Sequence, residues 1–108
     1  MSIEDQDYLT RQIQMITKSI GKFLDLFSIK EIIESNYNLA GEMSDSKIET
    51  IVYMTRIEDI QFSKNLSLEE LSQEIGINQN RLSVLINNED SADEQELAKL
   101  LAYLEKHE

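Results

Sequence analysis

The sequence predicts an all-α protein, and three observations carry that expectation. The 108 residues contain no Pro and only three Gly, so few positions break a helix, while good helix formers such as Leu, Glu, Gln and Lys are abundant. Apolar residues recur at alternating steps of three and four, the period of an amphipathic helix. Ser-x-x-Glu, in which each side chain caps the other residue's free amide, occurs as Ser28–Glu31, Ser46–Glu49, Ser67–Glu70 and Ser91–Glu94, and each pair predicts a helix start. The expectation is a long N-terminal helix followed by a small helical domain, about six helices in all.

The first helix is expected from Glu4 to about Phe27, where Leu9, Ile13, Ile16, Ile20, Phe23 and Phe27 draw one apolar stripe. A stripe of that length needs a partner, either the later helices of the same chain or the same helix of a second copy. A second helix, Lys30 to Tyr37, buries Ile32 and Ile33. The turn Asn38–Asp45 divides an N-terminal helical arm (1–40) from a C-terminal domain (41–108). A third helix runs from Lys47 to Ile60, and Gln61 to Ser67 connects it onward, with Phe62 and Leu66 stapled to the core. A last helix, Ala92 to Lys106, is expected to bury Leu97, Leu100, Leu101 and Leu104.

Between these lies Leu68 to Asn88, LEELSQEIGINQNRLSVLINN, whose spacing predicts a helix-turn-helix. Leu71 and Ile75 lie one turn apart on a first short helix, and Leu82 and Leu85 lie together on a second. Ile77 fills the angle between them, and the small Ser72 lets two steeply crossing helices approach. Gly76 ends the first helix at positive φ, and Asn78 offers an oxygen to cap the second. This stretch resembles the helix-turn-helix of AraC-type bacterial transcription regulators over about residues 46–90, with Ile48 to Ile60 in the place of that family's lead-in helix. The resemblance implies a DNA-binding unit.

Composition bounds the alternatives. Net charge is −11, which opposes approach to phosphate or anionic membranes at long range. Residues 67–108 carry ten acids and three bases, so the half with the DNA-binding pattern is the most acidic. No apolar run approaches the roughly 20 residues that cross a bilayer. There is no Cys, hence no disulfide or thiolate chemistry. The opening MSIEDQDYL lacks the features of a secretory signal, and cytoplasm is the expected compartment. No enzyme is predicted: the one His, His107, sits next to the C-terminus, where little order is expected, and no Ser or Lys has a recognisable base partner. Asn88, Asp90 and Glu94 are only faintly like a calcium loop, without its central Gly or closing Glu, so neither metal nor cofactor is expected.

In the usual docking of such a motif, the start of its second helix enters the major groove. Gln79, Asn80, Arg81 and Ser83, with Asn87 further along, are therefore the expected base-facing residues, and Lys64 the expected phosphate contact. Gln and Asn suit adenine and Arg suits guanine. No acid lies between Glu74 and Glu89. The leading expectation is a transcriptional regulator binding double-stranded DNA as a homodimer through its first helix. The alternative is an acidic module that keeps the shape and binds a protein partner instead.

Overall fold

A computed structural model describes residues 3–20, 31 and 44–107, and these form helices and no strand. In chain order they are α1 (Ile3–Ile20), α2 (Asp45–Lys64), α3 (Leu68–Ile75), α4 (Gln79–Ile86) and α5 (Glu94–His107). The all-α expectation holds. Gly21 to Phe27 and the expected second helix, apart from the helical Glu31, lie outside the described residues, as does most of the Asn38–Asp45 division.

α2 is the central element, touching α1, α4 and α5, while α3 packs on α4 and α5. Its sides are accordingly buried almost all round: Ile48, Ile51, Val52, Tyr53, Met54, Ile57 and Ile60 all enter the core. Leu9 and Ile13 of α1 belong to the same buried cluster as Leu71, Leu82, Leu85, Leu100 and Leu104. This part of the α1 stripe is thus covered within the chain.

Several local expectations shift, each for a visible reason. α2 begins two residues early because Ser44, not Ser46, caps it, its hydroxyl accepting from the Lys47 amide at 3.1 Å. The helix also continues through Lys64, since nothing in Gln61–Lys64 breaks it. Asn65 is the first residue able to take the left-handed conformation (φ 56°), and the bonds from its amide to Phe62 O and from the Leu66 amide to Gln61 O close the end. Phe62 is therefore 90% exposed rather than stapled to the core, while Leu66 does pack against it.

At α5 the reciprocal cap is formed by Asp93 and Glu96 (2.8 and 3.0 Å) and not by Ser91 and Glu94. The inward face of α5 carries Leu100, Tyr103 and Leu104, so Tyr103 is buried and Leu101 is left 38% exposed. The expectation for Ser67–Glu70 holds without change, with both bonds of the capping box present.

Candidate nucleic-acid interface

α3 and α4 form the two arms of the helix-turn-helix. Gly76 ends α3 at φ +86°, and its amide donates to Ser72 O at 2.9 Å. Ile77 is buried in the angle, and the Ser72 hydroxyl donates to its carbonyl, so the small residue at the crossing also fastens the turn. The Asn78 side chain accepts from the Asn80 amide at 2.9 Å and starts α4. These are the roles the sequence assigned to Ser72, Gly76, Ile77 and Asn78.

α4 turns Leu82 and Leu85 fully inward. At about 100° per residue, Asn80, Ser83, Val84 and Asn87 fall on the opposite side with Gln79 at its edge. Gln79, Asn80 and Asn87 are exposed, and Ser83 and Val84 are half-buried. Val84 is not among the expected site residues, being apolar yet off the inward stripe of Leu82 and Leu85; the 100° rotation along QNRLSVLI is the signal that sets it on the outer face.

Arg81 lies on the flank of that face, and its guanidinium is occupied. Nε donates to Glu96 Oε2 at 2.7 Å and Nη2 to Glu96 Oε1 at 3.0 Å, in the two-pronged geometry that suits a carboxylate. Nη1 reaches Asp90 Oδ2 at 2.8 Å, and Nη2 also reaches the Ser91 carbonyl at 3.0 Å. The first partner is well shielded, Glu96 being only 15% exposed, whereas Asp90 is 60% exposed. Bonds from Glu96 and then Asp90 push the Arg81 pKa up, and bonds from Arg81 hold both carboxyls below their ordinary values. Arg81 thereby ties α4 to the loop and first turn of α5.

Other cations are similarly engaged. Lys47 Nζ donates to Asn88 O at 2.9 Å, just past the end of α4, and Lys99 Nζ donates to Gly76 O at 3.0 Å, at the end of α3. Both place positive charge where a helix C-terminus is negative. Lys64 Nζ lies 2.6 Å from His107 Nδ1. An ammonium can only donate, so Nδ1 accepts and the ring proton sits on Nε2, which faces Glu74 Oε1 at 3.9 Å.

His107 was expected to lack order, yet it is the last residue of α5, with its ring centroid 4.3 Å from that of Tyr103. The Tyr103 hydroxyl donates to Glu74 at 3.3 Å, and burial together with that carboxylate pushes its pKa up to about 12. Among the described residues no group of acids and histidines is arranged to hold a metal ion. None of their helices is long and apolar enough to cross a membrane.

The six residues expected to contact DNA thus divide. Gln79, Asn80, Ser83 and Asn87 share the outer side of α4, whereas Arg81 and Lys64 are held by partners within the chain. No curated protein and no solved structure matches the chain. Residues 60–108 match a helix-turn-helix family model, a span that takes in the end of α2 and all of α3, α4 and α5 without singling out the AraC type. Sequence pattern, family match and geometry therefore agree that the C-terminal half of this chain is a helix-turn-helix unit.

Proposed function

We propose that the chain is a cytoplasmic transcriptional regulator that binds double-stranded DNA through α4. The observation that carries the reading is the outer side of α4: a mainly polar surface formed by Gln79, Asn80, Ser83 and Asn87 around the one apolar Val84, with no acid, on a capped helix-turn-helix. Gln79 and Asn80 stand at its N-terminal end, the end that meets base edges in this docking mode. The Lys64 ammonium spends one of its three donors on His107 Nδ1, which leaves two for a phosphate oxygen. One such module carries few phosphate contacts, so useful affinity calls for two copies on two half-sites. Self-association would use the outward side of α1, where Tyr8 and Met15, 56% and 60% exposed, lie two turns apart.

The test is binding of the full chain to a pool of random duplexes at low and moderate salt, with oligomeric state measured on the same sample. Selective retention of a two-fold symmetric site by a dimer, weakening as salt rises, is the expected result. A lack of retention at low salt, where attraction to phosphate is strongest, would refute it. A second reading, an acidic module docking on a basic protein partner, is favoured by one observation: Lys47, Lys64, Arg81 and Lys99 all spend their charge inside the fold. It replaces the first reading if DNA retention fails.

A further inference from the structure

We infer that α4 reads A·T base pairs, with the Gln79 and Asn80 amides on adenine and the Val84 side chain against a thymine methyl, and that Arg81 takes no part in base reading. The inference rests on the DNA-binding reading above and narrows it to a class of site. A carboxamide offers one acceptor and one donor, matching the N6 amino group and N7 of adenine in the major groove. Gln79 and Asn80 are both exposed, and the capping of α4 is carried by Asn78, so neither amide is needed by the helix.

Guanine would call for a cation. Arg81 is the only one in the α4 sequence QNRLSVLI, and all three of its nitrogens donate to Glu96, Asp90 or Ser91. Reading guanine would strip Glu96 of its cation in a setting only 15% exposed. Val84 supplies an independent argument. An apolar side chain in the middle of a polar outer face has little to gain from water, whereas the 5-methyl group of thymine is the apolar feature of the major groove. Val84 and Asn80 are one turn apart on that side, about 6 Å along the axis, a span within two base-pair steps of about 3.4 Å each. One A·T-rich patch thus satisfies all three side chains.

The test starts from the duplex selected at low salt by the full chain. Changing a contacted A·T pair to G·C should weaken binding roughly fivefold to a hundredfold. Replacing the contacted thymidine by deoxyuridine, which removes only the methyl, should cost about fourfold, and that loss should disappear in Val84→Ala. Arg81→Gln should leave the ratio of affinities for the A·T and G·C versions unchanged, because a ratio does not depend on the fraction of protein folded. Selection of G·C at the contacted pairs, insensitivity to deoxyuridine, or a ratio that narrows in Arg81→Gln would each overturn the A·T assignment while DNA binding stands. Retention of no duplex at all would overturn DNA binding and this assignment together.

Discussion

Arg81→Ala should destabilise the fold, and the size of the loss follows from the geometry. The substitution deletes two bonds to Glu96, one to Asp90 and one to the Ser91 carbonyl. Asp90, 60% exposed, regains water freely and loses little. Glu96 is mostly shielded but keeps the Asp93 amide, so it loses its strongest partner without being stranded. A charge-assisted pair of this kind contributes roughly 1.5–3 kcal/mol when shielded, and the 31% exposure of Arg81 argues for the lower half of that range.

A loss of about 2 kcal/mol lowers Tm by on the order of 8 °C or more in a domain of this size. Thermal melts followed by circular dichroism, with Gln79→Ala as the exposed control on the same helix, measure it. The pH dependence adds a second check. Asp90 and Glu96 ionise below their ordinary 3.8 and 4.5 in the folded state, so their stabilisation is fully present above those values and fades as pH falls through the folded ones. The gap between wild type and Arg81→Ala should close in acid. An Arg81→Ala protein melting with the Gln79→Ala control at pH 7 would refute the account of Arg81 as the tie between α4 and α5.

Other expectations follow from single features. Gly76→Ala meets open space but keeps φ at +86°, so it should cost about 1 kcal/mol from backbone strain alone, and Gly76→Asn less; equal urea midpoints for all three proteins would contradict this. Ser67→Ala removes one arm of the α3 capping box and should cost about 1 kcal/mol in the same titration. Tyr103 holds its proton up to about 12 when folded and to an ordinary 10.0 when unfolded; the native state therefore binds more protons in that window, and stability should fall as pH rises through it. Tyr103→Phe should lose this dependence in alkaline melts. The Glu58 carboxyl is raised by burial against the opposing pull of Lys18, so ionising it opposes folding at neutral pH, and Glu58→Gln should raise Tm at pH 7 while leaving it little changed in acid.

What the sequence made legible was whatever is decided within one or two turns of chain. Gly76, Asn78, the Ser67–Glu70 box and the inward Leu71, Leu82 and Leu85 were all readable because cap geometry and the 3.6-residue period are local. Where two local solutions compete, the sequence does not choose. Ser44 and Ser46 are both capping residues, and so are Ser91 and Asp93. At the latter the choice fell to tertiary structure: Thr50 Oγ1 accepts from the Ala92 amide at 2.9 Å, which fixes the loop, and Glu96 must face both Asp93 and Arg81. Phe62 was misplaced because a connection was expected where the chain had no breaker before Asn65.

The deeper miss concerns charge, and its cause is separation along the chain. Arg81 finds Glu96 fifteen residues on, Lys64 finds His107 forty-three on, and Lys47 finds the Asn88 carbonyl forty-one on. No period links such pairs, so a count of cations beside the motif reads Arg81 and Lys64 as available to DNA. In the folded chain these cations answer needs set by the helix-turn-helix itself. Short helices such as α3 and α4, eight residues each, leave half of their carbonyls without an intrahelical partner. Lys99 and Lys47 supply donors just beyond their C-terminal ends, where the helix dipole also favours positive charge. A very acidic protein with few bases can hold two such short helices at a fixed angle by this means. The consequence is that shape and charge separate: the helix-turn-helix geometry is built with the cations that would otherwise draw it to phosphate, and on the proposed reading discrimination falls to the neutral side chains on the outer side of α4.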